Sequence, residues 1–380
     1  MTKYPLATLM RARARVAIKA MNDAILHRRD SIEEILEPQA REQFKSVTEV
    51  YFAGGGGAGR ALPSALAEAQ KYGLDFEKLR IVCATSVGTI VGLGVTLGIS
   101  PMKMKKMLCD MPTDKFQDWS IRRIFNFFTE WGVCSGNEMN AYVRKMIKDE
   151  TGLDDPTFLE LYEAGYTKEF RVLTTNVSKH KTSIFSHRLT PYKKVAELVT
   201  TACSIPIVYA PRWLVNERGE LEAHTDGGLI KNYPFGLGGD PLVPIEEQLG
   251  FNFVNKGAAY ALDNTKHTII DSFWRYFKSL LSMILFQDPL SVSDSIKDRT
   301  VTIAVNHNPL KFDATEQEQL ALDRAGIKGV RNLISRMLKN NERKKAQLQE
   351  PLIFSRVPSP IVQNAPATIL RRSPRLQKLG

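Results

Sequence analysis

Cysteine is scarce in this chain: four residues in 380, Cys83, Cys109, Cys134 and Cys203, with no C-x-x-C pair among them. That spacing argues against a disulfide scaffold and a cysteine-rich zinc site, and it favours a reducing compartment. Histidine is also sparse. The six residues, His27, His180, His187, His224, His267 and His307, contain no His-Glu-x-x-His, so neither a metal nor any other cofactor is expected. The N-terminus lacks an apolar core long enough for a secretory signal. One uncharged run, Ile81 to Met102, exceeds the about 18 residues of a membrane-helix candidate. Its internal glycines and its turn make it instead the buried centre of an α/β sheet.

Three motifs in order carry the chemistry. Residues 46–53 read as a strand and Ala61 to Tyr72 as a helix, so the run Gly54-Gly55-Gly56-Gly57-Ala58-Gly59 is a strand-to-helix loop. Glycine leaves no Cβ in the way, so such a loop can turn several backbone N–H groups inward as an oxyanion hole requires. Next, Leu79 to Ala84 reads as a buried strand and Gly88 to Leu93 as the start of a helix, which puts Ser86 on the corner between them. Ala84-Thr85-Ser86-Val87-Gly88 is a G-x-S-x-G nucleophile elbow with alanine for its first glycine, and the helix aims its N-terminal N–H groups at the serine. Finally Asp226-Gly227-Gly228 supplies a carboxylate, and the glycine pair allows a sharp turn after it.

Other assignments of the same residues fare worse. The glycines also match G-x-G-x-x-G at Gly54, Gly56 and Gly59, but a dinucleotide loop expects an acidic residue about 20 positions on, where Cys83-Ala84-Thr85 stands. No Gly-Lys-Ser/Thr follows, which argues against a P-loop. A Ser-His-Asp triad would draw its histidine from His267 or His307, the two that follow Asp226. His224, two residues before Asp226 on one strand face, reads as a local hydrogen-bond partner.

The ordered set resembles the patatin-like phospholipases, which carry a glycine-rich loop, a serine elbow and a D-G-[G/A] motif followed by Asn and Pro. Here the last is Asp226-Gly227-Gly228 with Asn232-Tyr233-Pro234, and Thr201 to Pro206 matches the apolar helix-to-loop segment before the aspartate strand. The resemblance covers about residues 46–310. It implies an α/β, three-layer fold with a central, mainly parallel sheet flanked by helices. It also implies a Ser86–Asp226 dyad without histidine, an oxyanion loop at Gly54–Gly59, and supporting roles for Gly88, Gly227 and Gly228. The implied activity is lipid acyl hydrolysis of phospholipase A type. Two departures stand out: Ala84 in the elbow, and Ala58 where the family has a basic side chain, with Arg60 two residues on. A catalytically silent lipid-binding or scaffolding relative and an acyltransferase using the same dyad are the alternatives.

Positive charge is abundant and sits at the ends. Of a net charge of +11, residues 1–29 hold +6 and residues 331–380 hold +9, which leaves −4 for residues 30–330. Such ends suit an anionic membrane surface, and for a lipase they suit it better than nucleic acid. The expected location is intracellular and cytoplasmic with peripheral membrane association. The stretch Leu9 to Met21 also resembles a mitochondrial targeting peptide. The expected organisation is a basic helical segment at 1–45, a catalytic domain at 46–310, a helical extension at 311–350 and a basic, proline-containing, disordered tail at 351–380. Ile269 to Phe286 has the apolar period of a core-facing helix, and Trp119 to Trp131 reads as a cap over the cleft or as core.

Overall fold

Strands buried on both faces read as near-continuous apolar runs, and Ile81-Val82-Cys83-Ala84-Thr85 is such a run, every residue buried. It forms the second of ten described strands: β1 (Glu49–Phe52), β2 (Ile81–Thr85), β3 (Gly132–Cys134), β4 (Glu169–Asn176), β5 (Lys181–Phe185), β6 (Ile207–Tyr209), β7 (Arg212–Val215), β8 (Leu221–Asp226), β9 (Gln248–Asn255) and β10 (Thr300–Val305). The computed structural model describes residues 40–116, 130–237, 239–255, 293–308 and 310–349. The N-terminal segment as far as residue 39, the aromatic stretch from Trp119 to Thr129, the stretch Ile269 to Phe286, His267 and the tail 351–380 lie outside those residues. By its contacts the chain divides into two units, Met1–Lys339 and Asn340–Gly380. In the second, the described residues 340–349 are helical.

The main sheet belongs to the first unit and has the order β10-β9-β1-β2-β4-β8-β7, with β5 also paired to β4. Its first five strands are parallel. The expected α/β fold with a central, mainly parallel sheet flanked by helices is the one observed. The antiparallel part begins at β4, and its register decides where the site lies. Val172 and Leu173 pair with β2 on one side and β5 on the other, whereas Thr174 to Asn176 pair with β5 and β8. A strand has only two edges, so β8 must occupy the lane that β2 leaves at Thr85.

Helices cover one face of this sheet: α1 (Leu62–Lys71), α2 (Val87–Thr96), α3 (Pro101–Cys109), α4 (Asn137–Thr151), α5 (Val195–Ala202) and the part of the helix Glu316–Gln349 up to Lys339. All ten residues of α2 are buried, which is where the uncharged run of the sequence goes. Among the described residues, no helix is long and apolar enough to cross a membrane. On the helical face Val50, Phe52, Val82, Phe170, Val172, Phe251 and Ile303 form the main core. The opposite face carries a smaller cluster around Tyr51, Ile81, Cys83, Leu173 and Phe235. Polar groups buried beside it are paired: the Tyr51 hydroxyl donates to Glu49 Oε2 at 2.6 Å, and Arg171 makes two bonds of 2.9 Å to Glu169.

Candidate active site

Ser86 sits between β2 and α2 with φ 52° and ψ −136°, a conformation that costs a non-glycine residue about 1–3 kcal/mol unless its surroundings impose it. The surroundings are specific. The Thr89 N–H and Oγ1 both donate to the Ser86 carbonyl, at 2.8 and 2.6 Å, and lock the first turn of α2 onto the corner. A Cβ at Gly88 would lie 2.8 Å from the carbonyl oxygens of both Phe52 and Ala53, so the helix can come this close to β1 only with glycine there. Ala84, the departure from the elbow pattern, is buried without strain because the helix offers it a second glycine: a Cβ on Gly92 would stand 3.2 Å from the Ala84 methyl. The lost glycine at position 84 is matched by one at position 92.

Asp226 ends β8, opposite Thr174, while Thr85 is opposite Leu173 on the same strand. The lane shared by β2 and β8 therefore brings serine and aspartate end to end. Ser86 Oγ donates to Asp226 Oδ2 at 2.7 Å, and the Gly228 N–H donates to Oδ1 at 2.7 Å. Both side chains are buried. Burial pushes the Asp226 carboxyl up to about 7, and the two donors only partly oppose it.

Glycine is needed after Asp226 for a reason other than the sharp turn expected. Gly227 has φ −64° and ψ −26°, ordinary for any residue. What it lacks is room, since a Cβ would overlap the Leu173 carbonyl.

The glycine loop follows the same logic. Only Gly56, at φ 53°, needs the left-handed region. Gly54 has no space for a side chain because Ser86 Cβ would be 2.7 Å away and the Asn232 side chain closer still, and Gly57 abuts the Lys311 carbonyl. Two N–H groups of the run are already spent: Gly54 donates to the Asn232 carbonyl at 3.2 Å and Ala58 to that of Gly55 at 3.1 Å. Gly55, Gly56 and Gly57 form the cap and first turn of a short 3₁₀ helix (Gly56–Ala61), where N–H groups have no acceptor within the helix.

Asn232 returns the contact, its Nδ2 donating to the Gly54 carbonyl at 3.0 Å. This buried pair ties the loop to the segment after Asp226, and Asn232 is the site residue whose task the sequence did not reveal; its only signal was the Asn-x-Pro that follows the aspartate motif. Asn232→Ala is expected to leave a buried carbonyl unpaired and to cost about 1–3 kcal/mol in urea unfolding. A midpoint equal to that of the parent protein would show that the tie is not structural.

Residues 50–237, which contain all three motifs, match the family model of the patatin-like phospholipases. Those residues form a patatin-like phospholipase domain. Uncharacterised protein R571 of Acanthamoeba polyphaga mimivirus is 25% identical over 300 residues, covering 77% of this chain and 95% of R571. Among solved structures, VipD of Legionella pneumophila is similar with a TM-score of 0.48 at 16% identity, over 77% of this chain and 67% of VipD. Full-length ExoU of the Pseudomonas aeruginosa type III secretion system, solved with SpcU, gives 0.41 at 13% identity, over 76% of this chain and 53% of ExoU.

In this patatin-like domain the remaining sequence candidates have other surroundings, although His307 Nε2 borders the glycine loop, 2.9 Å from where a Cβ on Gly57 would lie. His307 lies just past β10 and turns Nε2 to the Lys311 carbonyl at 2.8 Å. His224 is the local partner expected, Nδ1 meeting Thr174 Oγ1 at 2.9 Å, and burial brings its pKa down to about 4, so the ring is neutral. Arg60 is buried, with Nε on the Phe312 carbonyl at 2.9 Å, and Ala58 is fully enclosed. Cys83 and Cys203 are buried free thiols, and burial raises both, that of Cys83 to about 12. Among the described residues, no group of three or more His, Cys, Asp or Glu side chains could hold a metal ion.

Proposed function

We propose that this domain hydrolyses fatty-acyl esters of lipids, as a phospholipase A-type enzyme, through an acyl intermediate on Ser86. The observation that carries the reading is the 2.7 Å hydrogen bond from Ser86 Oγ to a carboxyl held near the pKa a general base needs at neutral pH. Ser86 Oγ attacks the ester carbonyl as its proton passes to Asp226 Oδ2. The first-turn N–H groups of Gly55, Gly56 and Gly57, with the N-terminus of α2, receive the charge on the carbonyl oxygen. Collapse expels the alcohol, a lysolipid where the substrate is a diacyl phospholipid, which takes the proton from Asp226. Water then gives a proton to the freed carboxylate and attacks the acyl-serine, and the fatty acid leaves as the proton returns to Ser86 Oγ.

Two measurements test this. A fluorophosphonate probe should label the protein at Ser86, because an activated serine attacks phosphorus and an inert one does not; no labelling would point instead to a silent lipid-binding relative. The pH profile is the second. Because Asp226 must be ionised to accept the proton, kcat/KM on a soluble ester should rise with pH along a limb centred near about 7. A limb at the ordinary carboxylate value, about 4, would place the essential base elsewhere.

A further inference from the structure

The lane that β8 shares with β2 has an outward end. Asp226 lies at the level of Ser86, and from there β8 runs antiparallel to β4, back through His224 to Leu221, past the carboxyl edge of the parallel strands. Five residues of strand span about 17 Å. The turns of both hairpins, between β4 and β5 and between β7 and β8, therefore project from the edge that carries the serine.

Alternation along these strands sorts their side chains. Asp226, His224 and Glu222 share one face with Leu214, opposite Glu222. The other face holds Leu221, opposite Val215, and Ala223, opposite Trp213 and bonded through its carbonyl to the Val177 N–H. A polar, solvated side chain is the ordinary choice for an exposed face at the end of a sheet. Here Trp213 is 48% exposed, Val215 48%, Leu221 61% and Val177 41%. Trp131 packs against Trp213 at a tilt, with ring centroids 5.5 Å and planes 55° apart, and is itself 56% exposed, on a backbone at φ 61° that a bulky residue rarely adopts. The short helix α6 (Gly228–Lys231), immediately after the catalytic-motif aspartate, exposes Leu229 and Ile230.

Charge accompanies the apolar face. Lys179 and Arg218 lie in the two hairpin turns and Lys231 on α6, while Lys181 and Lys193 line the Glu222 side of the hairpins, against Glu217, Glu220 and Glu222. Glu222 is already neutralised by Lys179, and Lys193 Nζ reaches the Val215 carbonyl at 2.7 Å. Paired tryptophans beside exposed aliphatic side chains, with Lys and Arg at the hairpin tips and on α6, match the boundary between headgroups and acyl chains, where indole is favoured and anionic lipid attracts Lys and Arg.

We propose that the face formed by Trp131, Val177, Trp213, Val215 and Leu221 docks this protein on a phospholipid bilayer and lays the edge bearing Ser86 against it. The proposal rests on the lipid-hydrolase reading for its purpose but not for its test. In a Ser86→Ala background, which spares the lipid, the full chain should partition onto phosphatidylcholine–phosphatidylserine vesicles. Trp213→Ala with Leu221→Ser should weaken that partition at least about tenfold, because binding scales with the apolar area inserted. The same pair placed in the parent protein should leave the melting temperature and the hydrolysis of a soluble short-chain ester unchanged. Should the pair disturb folding, tryptophan emission decides: vesicles should shift it to the blue, brominated lipid should quench it, and Trp131→Phe with Trp213→Phe should remove most of both responses. Equal partition by parent and variant would overturn the proposal, as would a change in oligomeric state in place of vesicle binding, which would make the face a contact between copies. Ester turnover without vesicle binding would sink the docking face alone, and vesicle binding without turnover or probe labelling would sink the hydrolase alone.

Discussion

Ser86→Ala is expected to lower kcat for ester hydrolysis at least about 10⁴-fold and to abolish fluorophosphonate labelling, with the fold intact. Ser86 carries the one hydroxyl bonded to Asp226, and no neighbour can replace it. Thr85 Oγ1 is turned to the Lys231 carbonyl at 3.4 Å, and Thr89 Oγ1 is held by the Ser86 carbonyl. The fold should survive, because the Ser86 side chain makes no cap bond to α2 and alanine meets the same backbone strain, with a cost of about 1–3 kcal/mol for the buried hydrogen bond to Asp226. The variant keeps a buried Asp226 that has lost one of its two donors, so its carboxyl should titrate even higher than in the parent protein. Steady turnover of a soluble ester by purified Ser86→Ala at more than a hundredth of the parental rate would end the assignment of Ser86 as nucleophile.

Asp226→Asn should separate function from stability. The amide has the carboxyl's shape, its Oδ1 can still accept from the Gly228 N–H, and its Nδ2 can donate to Ser86 Oγ. It cannot take the serine proton, so kcat should fall at least about 10²-fold. The stability effect has the opposite sign. With a folded pKa of about 7 against an ordinary value of 3.8, the native state holds its proton more tightly than the unfolded chain. Stability is therefore unaffected at pH below about 4, is lost progressively as pH rises between about 4 and 7, and carries the full penalty above. That penalty is on the order of a few kcal/mol, so Asp226→Asn should melt higher than the parent at pH 8 and by a smaller margin at pH 5. A variant that melts lower at pH 8 would show that the buried carboxylate is not a liability to the fold. If His307→Ala proves as inactive as Asp226→Asn, a histidine shares the work despite its bond to Lys311.

The parts of this site that could be read from the chain are those that local geometry governs. A buried strand, a corner and a helix over Leu79 to Leu93 place Ser86 within one contiguous segment, and the same holds for the glycine run after β1. Small residues at a tight corner and glycines at a strand-to-helix loop are demanded by sterics within a few residues, so spacing alone exposes them. The uncharged run from Ile81 to Met102 likewise resolves into β2 and the fully buried α2 because its glycines and its corner interrupt it. The charged ends illustrate the opposite case, since composition reports their sign and gives no geometry.

Tertiary structure decided the rest, because it depends on which strands share an edge. Asp226 lies 140 residues from Ser86, and only the register that slots β8 into the lane vacated by β2 makes them meet. The glycines owe their places to distant carbonyls, Leu173 for Gly227 and Lys311 for Gly57, that no local pattern contains. Asn232 acquires a purpose only once Gly54 is beside it. The exposed hairpin face makes the point most sharply. Alternation of Trp213 and Val215 with Arg212 and Leu214 tells that the two sides of β7 differ, but period two is the same whichever side is covered. By itself the sequence determined the strand, the corner and the loop around Ser86, since these follow from short-range sterics. The folded chain alone decided what stands opposite Ser86 and which apolar side remains open to solvent, since both are set by pairing across long loops.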